Sequence, residues 1–143
     1  MKKLLALALV VVLALSMAAC GGSKLKDGTY VAETSDAVAT DSHGWKDTVT
    51  VTVSGGKVTD VVFDSFALDD GRAKSKETAE TYPMDPHPSE WIPQLSANLK
   101  AASSADEVAA VAGATHSSES AKKLYAAALE AAAEGNTETV VVD

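Results

Sequence analysis

The stretch Val111-Ala112-Gly113-Ala114-Thr115-His116-Ser117-Ser118 holds the residues of this chain best suited to chemistry. Small residues and hydroxyls stand just ahead of a long alanine- and leucine-bearing amphipathic run, where a helix must begin. A helix N-terminus presents unpaired N–H groups and the positive end of its dipole, a ready site for a phosphate. Gly113 permits close approach of the backbone to a ligand, and Thr115, Ser117 and Ser118 offer hydroxyls. The same residues also suit plain capping by a Ser or Thr side chain, worth about 1 kcal/mol. On spacing alone both readings stand.

Other chemistry has less to build on. His43, His87 and His116 are far apart and none pairs with another at i+3 or i+4, so loop histidines are expected rather than a metal or haem site. A Gly-x-Ser-x-Gly elbow, a dinucleotide fingerprint and a phosphate loop are all missing. Adjacent acids such as Asp69-Asp70 and Asp106-Glu107 read as solvated charge. Cys20 is the single cysteine, which excludes an intramolecular disulfide and a multi-cysteine metal centre.

Cys20 has a setting of its own. Met1-Lys2-Lys3 is a short basic start, and Leu4 to Leu15 is an apolar run of 12 residues, short of the roughly 20 that cross a bilayer as a helix. Met17-Ala18-Ala19 then precede the cysteine. The order is that of a secretory signal peptide, residues 1–19, and the ending resembles the lipobox of bacterial lipoproteins, with Met17 where Leu is usual. That resemblance implies that Cys20 carries a diacylglyceryl thioether and often an N-acyl chain. Chains buried at about 0.8 kcal/mol per CH₂ hold a protein on a membrane. Residues 20–26 are then the lipidated cysteine and its tether, and the working domain is expected at the extracytoplasmic face.

The 143 residues are 46% hydrophobic and 22% charged, the range of an ordinary globular protein and enough for one domain. Without Lys2 and Lys3 the remainder carries 10 basic and 20 acidic residues, net −10. So acidic a surface disfavours nucleic acid as a partner.

Three stretches favour strand. They are Gly28 to Ala32, the strict alternation Thr48-Val49-Thr50-Val51-Thr52-Val53, and Val58 to about Phe66. Ser54-Gly55-Gly56-Lys57 supplies the turn of a tight hairpin. Leu68 to Glu80 reads as polar loop with one helical turn at most, and Pro83, Pro86 and Pro88 punctuate an irregular crossing. A helix opens near Ser89, its N-cap candidate, with Trp91, Leu95 and Leu99 on one face. A second follows Gly113, its stripe Ala121, Leu124, Tyr125, Ala128, Leu129 and Ala132, ended by Gly135. The expected fold is α+β, an antiparallel β-meander packed on one face by two C-terminal helices. The domain is expected over 27–134, with 135–143 a tail or edge strand.

Gly113-Ala114-Thr115 followed by Ser117-Ser118 resembles the Ser-Gly-Ala-Thr-x-Ser/Thr signature of the FMN-binding domain family. That domain occurs in flavin-carrying subunits of sodium-pumping quinone reductases and Rnf-type complexes, and in small membrane-anchored lipoproteins. Asp27-Gly28-Thr29-Tyr30, Gly44-Trp45-Lys46-Asp47, Gly56-Lys57-Val58-Thr59-Asp60, Lys74-Ser75-Lys76, Met84 and Ser89 to Leu95 are similar to it in order. Ala112 and Ala109 stand where the family usually has Ser or Thr and an acid.

The resemblance implies FMN as cofactor, held through Gly113, Ala114, Thr115, Ser117 and Ser118. In this family the threonine matching Thr115 can be esterified through the FMN phosphate by a separate flavin transferase. The implied role is an electron carrier exchanging electrons with redox partners, rather than an enzyme with its own substrate. The alternative is a cofactor-free surface or binding lipoprotein of the same fold. A flavin ring also asks for aromatic walls, for which Tyr30, Trp45, Tyr82 and Trp91 are candidates, with core positions the expectation for Trp91 and Tyr125.

Overall fold

The computed structural model describes residues 25–143, so Cys20, the signal segment and most of the tether lie outside the described residues. Strand β1 (Gly28–Thr34) leads into a one-and-a-half-turn helix α1 (Asp36–Asp41), and strands β2 (Trp45–Ser54) and β3 (Lys57–Ala67) form the hairpin. Helix α2 (Pro88–Ala101), helix α3 (Thr115–Glu134) and a short strand β4 (Val140–Val142) complete the chain, with 3-10 turns at Lys74–Lys76 and Ala105–Glu107.

The sheet order is β3-β2-β1-β4. β1, β2 and β3 pair antiparallel in sequence, as the alternating pattern predicts, with Tyr30 opposite Val51 and Val51 opposite Val61. Gly55 and Gly56 carry the hairpin turn at φ +63° and +76°, a backbone that side-chain-bearing residues adopt at a cost. β4 adds to the other edge of β1, parallel to it. A strand of three residues with no amphipathic period of its own is held there by tertiary pairing, so the chain end is an edge strand and not a frayed tail.

One face of the sheet carries the core. Val49, Val51 and Phe63 are fully buried against Trp91, Leu95 and Leu99 of α2 and Ala121, Leu124 and Ala128 of α3. The threonines of β2 face outward, half-buried. Two details depart from expectation. Helix α2 starts one residue before Ser89: His87 is the N-cap, its Nδ1 accepting the Ser89 N–H at 3.2 Å, and Pro88 takes the first helical position, where its missing N–H costs nothing. Helix α1 has no counterpart in the sequence pattern, being too short to show a period. Ser35 caps it and the Lys46 ammonium joins Asp36 at 2.6 Å.

Candidate functional site

Helix α3 begins on a loop built from inside. The Ser118 hydroxyl, buried at 1% exposure, donates to the Ala114 carbonyl at 2.7 Å and accepts the Val111 N–H at 3.0 Å. Gly113 sits at φ +82°, and a Cβ there would lie 2.5 Å from Cδ of Pro86. Glycine is therefore the residue that fits between this turn and the proline ring. Ala114 is the N-cap and supplies no side-chain bond, so the capping expected of a Ser or Thr does not occur. The N–H groups of Thr115, His116 and Ser117 have no acceptor among the described residues. Thr115 and His116 are exposed and Ser117 is half-buried. The five residues of the sequence motif thus form one turn: Gly113 and Ala114 shape it, Ser118 braces it, and Thr115 and Ser117 face outward from it.

Beside this turn lies a cleft of about 210 Å³, walled by His116 and Ser117, by Asp41, Ser42 and His43 at the α1–β2 corner, and by Trp45, Asp47, Lys74 and Tyr82. A second hollow of similar size, around Gly44, Leu68 and Arg72, shares His43 and Trp45 with it. A smaller one of about 110 Å³ lies between α1, α3 and β4, with His116 as the one ring side chain in its lining.

Trp45 and Tyr82 meet edge to face, with ring centroids 5.8 Å apart and planes at 83°. The Lys74 ammonium stands 4.8 Å from the Trp45 centroid and 5.2 Å from that of Tyr82, and the Arg72 guanidinium is 5.3 Å from Trp45. Lys74 is only 8% exposed. Its neighbour Ser75 is pinned to the Asp64 carboxylate through its N–H at 3.2 Å and its hydroxyl at 2.6 Å, and the Phe66–Ala73 bridge fixes the approach. Burial pushes the Lys74 pKa down, and the charges of Asp47 and Asp64 pull it partly back. Asp47 is itself held, accepting the Ser65 hydroxyl while its N–H donates to Thr34. Burial, with the charges of Asp47 and Glu77, raises the Tyr82 pKa.

Of the four aromatic candidates, Trp45 and Tyr82 line the cleft, while Tyr30 and Trp91 are core, at 1% and 2% exposure. Tyr125 is core as expected, at 2%. Asp47 and Lys74 entered the sequence reading only inside segments similar to the family, and His43 only as a histidine weighed for a metal or haem; none was named for the flavin cleft. Asp47 did leave a signal, because it occupies an inward position of the alternating strand, between Trp45 and Val49. A charged residue at a core position marks a site or a network. Lys74 stood in the Lys74-Ser75-Lys76 segment similar to the family, within a stretch that otherwise reads as polar loop.

The donor set suits a flavin nucleotide. Unpaired N–H groups at a helix start and a buried ammonium match anionic groups, and an aromatic pair matches a planar ring.

Residues 44–130 match the family model described as the FMN-binding domain. The chain is 34% identical, over 133 residues, to the "15 kDa lipoprotein" of Treponema pallidum, covering 90% of this chain and 92% of that protein. A Clostridium perfringens protein of known crystal structure shares 36% identity at a TM-score of 0.74, over 83% of this chain and 98% of that one. The α+β fold is common to both structures.

Proposed function

We infer a function from one premise: the chain belongs to the FMN-binding domain family. FMN is its cofactor, and when bound it supplies one- or two-electron redox chemistry. The reading is an electron carrier, lipid-anchored through Cys20 at the extracytoplasmic face of a membrane, with no substrate of its own. The anchor is supported by the lipobox-like residues before Cys20 and by the name of the Treponema relative.

Gly113, Ala114, Thr115, Ser117 and Ser118 hold the phosphate end. The unpaired N–H groups of the first α3 turn donate to the phosphate, Gly113 keeps the turn clear of side chain, and Ser118 holds its shape. The exposed Thr115 hydroxyl, preceded in the chain by the small residues Gly113 and Ala114, is open to esterification by a flavin transferase. Trp45 and Tyr82 wall the cleft against water. One observation carries the reading: the uncapped helix start and the aromatic pair border the same cleft.

The Lys26 N–H bonds the Ala132 carbonyl at 2.9 Å and its Nζ reaches the Glu134 carbonyl at 3.0 Å. Lys26 is therefore tied to the end of α3 opposite Thr115. A helix of 20 residues spans about 30 Å, so Thr115 lies about one helix length from Lys26.

Intact mass tests the reading. Co-expression with a flavin transferase is expected to add one FMN less one water, and Thr115→Ala to abolish the gain. An unchanged mass with quenching of titrated FMN fluorescence assigns non-covalent binding. Neither result, in folded protein, leaves the cofactor-free surface lipoprotein.

A further inference from the structure

Lys74 is a buried cation whose donors are unused. The residue is 8% exposed, its ammonium makes no hydrogen bond or ion pair among the described residues, and it borders the cleft between two aromatic rings. An ammonium has three N–H donors and no acceptor; the two ring faces attract its charge without taking up those donors, which stay available to a ligand in the cleft. Asp47 and Asp64 attract it by charge, but their carboxylates accept from Ser65 and Ser75 instead. The fold also places it deliberately, through the Asp64–Ser75 bonds and the Phe66–Ala73 bridge. We propose that Lys74 meets the negative charge that reduction places on the flavin ring, and so raises the reduction potential of bound FMN. The proposal rests on the FMN reading of the cleft.

Two considerations favour the ring over the phosphate. The phosphate has donors of its own in the unpaired N–H groups of Thr115, His116 and Ser117. Lys74 instead sits against Trp45 and Tyr82, the part of the cleft suited to a flat aromatic ligand. Uptake of two electrons from an external donor and of one proton from water leaves the ring system with one negative charge. A fixed cation beside the ring favours that state over the neutral oxidised one.

The test compares wild type, Lys74→Met and Lys74→Arg, each loaded with FMN and titrated with dithionite against a reference dye. Lys74→Met is expected to shift the reduced-to-oxidised ratio at least tenfold toward oxidised, a fall of about 30 mV for a two-electron couple. Lys74→Arg keeps the charge and is expected to stay closer to wild type. Affinities for FMN and for riboflavin, which lacks the phosphate, supply a second readout: Lys74→Met should weaken both by a similar factor. An unchanged potential in Lys74→Met overturns the proposal. So does an affinity loss confined to FMN, which assigns Lys74 to the phosphate. Should Lys74→Met fail to fold, Lys74→Gln, close in length and polar, takes its place in both measurements under the same criteria. A wild-type protein that takes up no flavin sinks the parent reading instead, a result distinct from an unchanged potential.

Discussion

Ser118→Ala removes the one side chain that holds the start of α3 in shape. Two bonds go with the hydroxyl, and their costs differ. The Ala114 carbonyl still accepts the Ser118 N–H at 2.9 Å, so it stays satisfied. The Val111 N–H has only the hydroxyl, in a residue 3% exposed, and is left buried without a partner. An orphaned donor of this kind costs about 1–3 kcal/mol. Alanine returns about 0.5 kcal/mol of helix propensity. The expected net loss is about 1.5 kcal/mol, read as a lower urea midpoint at constant m in a titration followed by Trp45 and Trp91 fluorescence. Ser117→Ala is the control, since that hydroxyl makes no hydrogen bond among the described residues, and it should stay within about 0.5 kcal/mol of wild type. FMN affinity should fall in Ser118→Ala, because the unpaired N–H groups that receive the phosphate lie on the turn it braces. Equal losses for Ser118→Ala and Ser117→Ala, or none for either, would refute the assignment of Ser118 as a brace.

Three further outcomes are expected. Gly113→Ala forces a side chain onto φ +82° and against Pro86, so it should cost at least about 1–2 kcal/mol in the same titration and weaken FMN binding. Val51→Asp places an unpaired charge at a position of 0% exposure and should cost about 4 kcal/mol or more, whereas Thr50→Asp on the outer face should cost about 1 kcal/mol or less, both by urea midpoint. Lys74 has a folded pKa below its ordinary 10.5, so in the alkaline window that ends there the unfolded chain binds more protons than the folded one. Relative to Lys74→Met, the wild type should therefore gain stability as pH rises through that window, measured as the difference in unfolding free energy between the two at each pH.

Local periodicity was enough for the hairpin, the α3 stripe and the helix start after Gly113, since each is written within a few turns or one strand of sequence. The period of two in Thr48 to Val53 and the Gly55-Gly56 turn specify strand pairing without reference to the rest of the chain. The spacing of Ala121, Leu124, Tyr125, Ala128, Leu129 and Ala132 specifies a buried helix face in the same way; five are buried and Leu129, at the edge of the stripe, is half-buried. The motif Gly113 to Ser118 does form the turn that opens α3, and its hydroxyls divide by burial: Ser118 points into the loop and Thr115 out of it. Only the tertiary structure could make that division. It also decided which aromatic residues reach the cleft, leaving Trp45 and Tyr82 on its wall and Tyr30 and Trp91 in the core. The parallel place of β4 beside β1 and the burial of Lys74 belong to the same class. A lysine in Leu68 to Glu80 looks solvated because its neighbours in sequence are polar. It is buried because its neighbours in space, Trp45 and Tyr82, come from a strand and a loop on either side, and proximity of that kind leaves no period in the chain.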